Sequence, residues 1–200
     1  MIATAIELSS KTDPEIWNLY LAGNQDAYNI LMGRYSKHLI SYGYRICEDK
    51  HLAKDCVQEV FLDLWRKRDR MNPVQAVKAY LFKCVRLRII NDSALWKANE
   101  ELEENRHRFS IEFTIESKLI ADADLAELSL KIRTILNGLP PRQQEVMYLR
   151  FFENLDLNQI SETMNICKQS VNNLLQKAYK SFRCEWTVLL LVFIACLSIR

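Results

Sequence analysis

Glycine and proline are scarce in this chain, four of each in 200 residues. Tight turns can form at few places, and the apolar residues recur at helical rather than alternating spacing, so a strand-rich fold is excluded and an all-α chain is expected. No internal repeat and no low-complexity tract is present. The six cysteines, Cys47, Cys56, Cys84, Cys167, Cys184 and Cys196, form no C-x-x-C pair. Most fall within apolar helical patterns, which points to reduced, buried thiols rather than a disulfide framework. Cys47 and His51 are four apart, but Glu48-Asp49-Lys50 reads as a turn between them and no second pair follows, so no metal site is expected. The N-terminus lacks a basic region followed by an apolar run, and no secretory signal is expected. His38, His51 and His107 have no nucleophile or carboxylate constellation around them, which argues against a Cys/His enzyme. Neither a catalytic residue nor a cofactor is expected.

What is present is apolar mass and patterned charge. Hydrophobic residues make up 49 % of the chain, enough to bury a core. The net charge of +2 hides its distribution. From Phe61 to Trp96, eight bases oppose three acids, Asp63, Asp69 and Asp92. From Lys97 to Ser129, nine acids, among them Glu100, Glu101, Glu103 and Glu104, outnumber four bases. Leu130 to Glu185 is mildly basic again. Two basic blocks joined by an acidic strip suggest two modules that face nucleic acid and a linker that does not; solvated helix faces are the plainer alternative.

Along the chain, residues 1–13 read as a tail. Asp13-Pro14 predicts a short helix with Asp13 as N-cap and Pro14 at its first position, ended by Gly23. Asn24 caps a second helix running to about Cys47. After the turn at Glu48-Asp49, a third helix spans about His51 to Lys67, with Ala53, Val57, Val60, Phe61 and Leu64 on one face. A charged loop, Arg66 to Asn72, follows, and Pro73 is expected to open a fourth helix bearing Val77, Leu81, Cys84, Val85 and Ile89. Residues 14–95 would form one module, 96–128 the linker and 129–185 a second. Helical pattern resumes near Glu116 and continues to Asn137, where Gly138 stops it. A helix from Pro141 to Phe152 ends at Glu153-Asn154-Leu155. A short helix follows from the N-cap Asp156 to Met164, then a turn at Asn165-Ile166-Cys167 and a long helix from Lys168. Two helices across so short a turn, the second rich in polar side chains, make a helix-turn-helix. Asn165 suits the turn because asparagine tolerates the left-handed conformation.

The segment Asp55-Cys56-Val57-Gln58-Glu59-Val60-Phe61-Leu62-Asp63-Leu64-Trp65 and the segment Leu139-Pro140-Pro141-Arg142-Gln143-Gln144-Glu145-Val146, followed by Gln159-Ile160-Ser161-Glu162 and the helix from Lys168, together resemble the extracytoplasmic-function sigma factors of bacterial RNA polymerase, within the sigma-70 superfamily. The resemblance spans roughly residues 14–185. It implies a sigma factor that binds core RNA polymerase, recognises the −10 and −35 promoter elements and directs initiation without catalysing a reaction. It places polymerase docking on Asp55, Gln58, Glu59 and Leu62; a Leu standing off the apolar stripe among polar residues fits such a face. It places −10 DNA contacts on Arg66, Arg70, Asn72, Lys83, Arg86 and Arg88, the loop residues hydrogen-bonding a flipped base and the helix bases neutralising phosphates. Of the nearby aromatics, Phe82 reads as core, and Tyr80 is left open between core and base stacking. It places −35 contacts on Lys168, Gln169, Ser170, Asn172, Asn173, Gln176 and Lys177, since Gln and Asn read adenine bidentately. Val171, Leu175 and Ala178 read as the core side of the same helix. Arg142 and Arg150 are candidates for phosphate or for plain solvation. The chain departs from the family at Leu87, where Asn is common, at Leu174, where a base is common, and in lacking the usual basic run after the fourth helix.

Residues 186–199 are almost wholly apolar. As a helix they would span about 21 Å at 1.5 Å per residue, against the about 30 Å of a bilayer core. Three uses are open: extension of the last helix with packing on the first module, cover by an inhibitory partner, or contact with a membrane surface. The resemblance supplies an anti-sigma protein as that inhibitor; the reduced thiols point to a cytoplasmic protein, and the apolar tail is what would hold it at a membrane when inhibited. The rival readings are a stand-alone helix-turn-helix regulator, which the motif at Asp55 to Trp65 disfavours, and a membrane-attached adaptor, which rests on the tail.

Overall fold

The structure, a computed structural model, describes residues 8, 10–96, 109 and 123–198, with side chains for residues 8, 10–92, 109 and 130–184. Its principal helices are α1 (Asp13–Leu21), α2 (Gln25–Cys47), α3 (Lys50–Lys67), α4 (Val77–Trp96), α5 (Ala123–Asn137), α6 (Pro141–Phe151), α7 (Leu157–Met164) and α8 (Lys168–Ser198), with a 3-10 turn at Arg68–Arg70. No described residue lies in a strand, and the all-α expectation is met.

Local chemistry sets most boundaries. Gly23 ends α1 at φ +87°, a conformation glycine adopts without steric cost. Asn24 caps α2 by accepting the Ala27 N–H at 2.9 Å. Glu48 turns the chain in the left-handed region at φ 57°, and Asp49 accepts the N–H groups of His51 and Leu52 at 2.8 and 3.1 Å, satisfying donors that the first turn of α3 leaves open.

Two expected starts shift. The cap of α1 is Thr12, not Asp13: Thr12 and Glu15 form a capping box, with the Thr12 N–H donating to Glu15 at 2.8 Å. Asp13 is drawn instead toward α2, where Arg34 pairs with it at 2.7 Å and the Tyr35 hydroxyl donates to it. Pro73 does not open α4, which begins at Val77. The Asn72 carbonyl accepts from the Trp17 indole N–H at 3.3 Å, and Val74 packs on the core. Both contacts hold the intervening chain out of the helix.

Helices α1 to α4 enclose the first core, with Trp17, Tyr20, Leu39, Tyr42, Leu81, Phe82 and Ile89 fully buried. Gly43 of α2 faces Ala53 of α3 and Ile89 of α4 at close range. A Cβ there would lie 2.8 Å from Ile89 Cδ1 and 3.2 Å from Ala53 Cβ. Gly43→Ala adds one methyl group against a helix-propensity gain of about 1 kcal/mol and should change stability little. Gly43→Val should destabilise by about 1–3 kcal/mol through overpacking, read as a lower urea midpoint at unchanged m-value.

The second module is built from turns. Gly138 follows α5, and Gln144 Nε2 seals the corner by donating to the carbonyls of Asn137 and Leu139 at 3.0 and 2.7 Å. Asn154 turns the chain at φ 54°. Asp156 and Gln159 form a capping box on α7, and Asn165 ends α7 at φ 53°. Val146, Leu149, Leu155, Ile160, Val171 and Ala178 form the core beneath the two helices. The continuous helix α8 carries the backbone of the apolar tail as far as Ser198, while the tail's side-chain contacts lie outside the described residues, as does the expected restart of helix at Glu116. Among the described residues no helix is long and apolar enough to cross a membrane.

The expectation of buried thiols needs correcting. Cys56 is buried, Cys47 and Cys84 are partly so, but Cys167 and Cys184 are exposed. Cys167 belongs to the turn entering α8, and Cys184 lies past Ala178, the last buried position among the described residues.

Candidate functional site

Three surfaces gather the residues singled out from the sequence. On α3, Asp55, Gln58, Glu59 and Leu62 are all exposed. Their spacing of three, four and seven puts them on one helix face. Leu62 is 44 % exposed, whereas Phe61 and Leu64 beside it are buried. The face is therefore acidic and amidic around one apolar knob.

The second surface is the end of α3 and the loop after it. Arg66, Arg70 and Asn72 are exposed. The loop is held from beneath by Trp17, whose indole bonds the Asn72 carbonyl, and by Arg68, which lies 4.7 Å over the Trp65 ring and donates to the Trp65 carbonyl at 2.9 Å. On α4 the bases divide. Lys83 is half-buried. Arg88 is ringed by carboxylates: Glu59 at 3.2 Å, Asp63 at 3.6 Å and Asp92 at 3.4 Å. Arg86 is only 7 % exposed and pairs with Glu145 of the second module. Three of the six residues thus share an open surface, and Arg86 faces inward.

Beside the loop, a cleft of about 400 Å³ opens between α3 and α4, lined by Leu64, Met71, Tyr80, Cys84, Leu87 and Asn91 among others. Leu87, the departure noted in the sequence, forms part of this lining and is 39 % exposed. Tyr80 stands edge-on to Trp17 with ring centroids 5.4 Å apart, half-buried, while Phe82 is fully buried as expected. Burial pushes the Tyr80 hydroxyl pKa up to about 12, so it stays a neutral donor.

The third surface is the start of α8. Lys168, Gln169, Asn172, Asn173, Gln176 and Lys177 are exposed, with Ser170 half-buried. Val171, Leu175 and Ala178 are buried on the opposite side. The polar face is thus presented whole by a helix whose other face is fixed in the core. Gln169 Nε2 donates to Asn173 Oδ1 at 3.2 Å, which aligns two of the amides. Cys167 lies at the entrance to this helix with Sγ 3.1 Å from Ser170 Oγ; the Ser170 hydrogen bond draws its pKa below the usual thiol value. Arg142 is exposed, while Arg150 donates to the Leu155 carbonyl at 3.0 Å and so braces the turn before α7.

Two features escaped sequence reading. One is an apolar groove of about 640 Å³ between α5, α6 and α8, lined by Ile132, Leu136, Met147, Phe151, Tyr179 and Phe182 among others. Its signal was the adjacent pair Phe151-Phe152 at a helix end, both exposed. The other is the contact between the modules. Phe109, from the segment expected to be a linker, is buried with its ring 6.1 Å from Tyr42 and 5.6 Å from Tyr148. Among the described residues no three His, Cys, Asp or Glu side chains gather as metal ligands.

Comparison with known proteins places the chain in a family. Residues 31–94 match the model for Sigma-70 region 2, and residues 129–182 match that for Sigma-70, region 4. The ECF RNA polymerase sigma factor SigW of Bacillus subtilis (strain 168) is 23 % identical over 168 residues, covering 80 % of this chain and 89 % of that protein. Two solved structures share the fold. CnrH, in complex with the cytosolic domain of CnrY, has a TM-score of 0.57 at 16 % identity, covering 89 % of this chain and 99 % of its own. The sigma factor RpoE, in complex with the anti-sigma factor NepR from Bartonella quintana, has a TM-score of 0.56 at 17 % identity, covering 80 % and 97 %.

Proposed function

From the premise that this chain belongs to the sigma-70 family and is a sigma factor of the extracytoplasmic-function kind, a promoter-recognising transcription initiation factor for core RNA polymerase, we propose how its surfaces divide that work. The observation that carries the proposal is the presentation of one polar face by α8 and one apolar-centred face by α3, on two modules matching different regions of one family.

Asp55, Gln58, Glu59 and Leu62 dock on core polymerase. Leu62 supplies the desolvated centre and the polar residues the rim, the usual anatomy of a protein interface. Arg66, Arg70 and Asn72 meet the opened −10 strand, with Arg70 and Asn72 hydrogen-bonding a flipped base, while Lys83, Arg86 and Arg88 are the helix bases that neutralise phosphate in the same contact. The cleft beside them, with Tyr80 at its wall, accommodates an unstacked base. The exposed face of α8 enters the major groove at the −35 element, with Gln169, Asn172, Asn173 and Gln176 reading base edges and Lys168, Ser170 and Lys177 bonding phosphate or base. In this reading the chain contributes recognition, and nucleotidyl transfer belongs to the polymerase.

An anti-sigma protein is the second partner in this reading. The RpoE–NepR complex supports it, as does the apolar groove formed by α5, α6 and α8, which leaves Phe151 and Tyr179 exposed. The site of action is the cytoplasm, with residues 186–199 available for a membrane surface when the factor is held inactive.

Docking is tested by Leu62→Glu. A charge at the centre of the α3 face should weaken binding to core polymerase by about 2–4 kcal/mol, the scale of a hot-spot residue. That is about thirtyfold or more in pull-down titration. Leu62 lies outside the core, so the melting temperature should stay within about 2 °C of the parent. Undiminished binding would reject this face as the docking surface.

A further inference from the structure

The two modules meet through buried charge. Glu145, on α6 of the second module, is 4 % exposed. Its carboxylate accepts from the Tyr42 hydroxyl of α2 at 2.7 Å and from Arg86 of α4 at 2.8 Å through Nε and 3.4 Å through Nη2. Burial and the neighbouring Glu145 carboxylate hold the Tyr42 pKa well above its usual value, so its hydroxyl is always a donor. Eight residues on, Glu153 is 3 % exposed. Lys78 of α4 lies 2.8 Å from Glu153 Oε2 and donates to the Glu153 carbonyl at 2.6 Å, while the Tyr148 hydroxyl donates to Oε1 at 2.8 Å and His38 Nδ1 approaches it at 3.4 Å. Thr163 of α7 donates to the Ala79 carbonyl at 3.3 Å. Phe109 fills the seam between Tyr42 and Tyr148.

This contact is at odds with reading a promoter. Elements at −10 and −35 lie about 25 base pairs apart, about 85 Å at 3.4 Å per step. A compact chain of this length has a radius of gyration of about 16–17 Å. Modules clasped together therefore cannot reach both elements. Arg86, the base buried in the contact, is also one that the −10 strand would need. A carboxylate oxygen offers a guanidinium the same kind of charged acceptor as a phosphate oxygen.

We propose that Glu145 is an intramolecular latch: it occupies Arg86 in place of DNA phosphate and keeps the factor closed until the modules part. The inference rests on the sigma-factor reading for what Arg86 would otherwise touch, and on geometry alone for the closure. The buried polar pairing suits a latch. A buried ion pair adds little net stability compared with its solvated parts, yet loss of one partner leaves the other buried and uncompensated. The closed state is thus specific and reversible. The −35 face stays exposed throughout, so closure masks one DNA contact and not the other.

The test uses the full chain under reducing conditions, by small-angle X-ray scattering and far-UV circular dichroism. Glu145→Lys sets two cations against each other at the seam, and Glu145→Gln removes the charge while keeping the shape. Both should raise the radius of gyration by about 5 Å or more above the compact value, with helical signal unchanged. The paired exchange R86E/E145K should restore the compact value. The proposal is overturned if the single variants stay compact, if the pair does not reclose, or if both single variants lose helical signal, since Glu145 would then be a folding residue. A mixed 20-nucleotide DNA single strand separates the two readings. Glu145→Gln, with Arg86 intact, should bind it about tenfold more tightly, the scale of one charged hydrogen bond. Opening without that gain would reject the DNA role of Arg86 and keep the latch; no opening would reject the latch whatever the DNA result.

Discussion

Alanine at Gln169, Asn172 and Asn173 together should lower transcription from a cognate promoter by about thirtyfold or more while leaving the protein folded and bound to polymerase. Each good bidentate contact to a base contributes about 1–3 kcal/mol of discrimination. The aligned pair Gln169 and Asn173, with Asn172 exposed beside them, offers at least two such contacts. Their loss removes about 2–6 kcal/mol of specific binding. The three residues are exposed, and alanine favours helix, so α8 should keep its stability. The check is a gel-shift or transcription titration at fixed salt, because phosphate-driven affinity varies with ionic strength. Loss confined to the cognate sequence supports base reading. An equal loss on all DNA would mean these amides bind backbone only.

Trp17→Ala carries the largest expected cost in stability. Trp17 is fully buried, packs its ring on Tyr20 at 5.0 Å and on Tyr80 at 5.4 Å, and donates its N–H to Asn72. Truncating such a residue costs about 3–5 kcal/mol, or roughly 6–20 °C of melting temperature for a chain of this size. The same ring holds the loop carrying Arg70 and Asn72, so promoter opening should fall more steeply than core binding at temperatures where both variants are folded. Trp17→Phe keeps most of the packing and loses the hydrogen bond, at about 1 kcal/mol. Comparing the two separates support of the loop from support of the core, by calorimetry and by permanganate reactivity of the opened strand.

Sequence chemistry carried the second module almost entirely. Asp156, Asn165 and Pro141 each fix a turn or a cap through their own backbone preferences, and the structure uses all three as read. The buried face of α8 followed from periodicity alone. The first module was legible in its helices but not in its joints. The start of α1 moved because Thr12-x-x-Glu15 outcompeted Asp13, and the start of α4 moved because a tryptophan 55 residues earlier holds the Asn72 carbonyl. A local preference such as proline at a first helical position cannot register a partner so distant. The same limit hid the contact between modules. Arg86 and Glu145 look like surface charges in sequence, and only the fold brings them 59 residues across to each other. Phe109 follows Arg106-His107-Arg108 in a charged stretch with no clear helical period, so nothing in the pattern marked it as core.

The most direct test of the central claim is run-off transcription with purified core polymerase on a pooled genomic template, with and without this protein. The account requires discrete promoter-specific transcripts that appear only with the protein, at the same start points in every preparation, and that vanish with Leu62→Glu. Core polymerase that yields no specific transcript in its presence, across the whole pool, would contradict it.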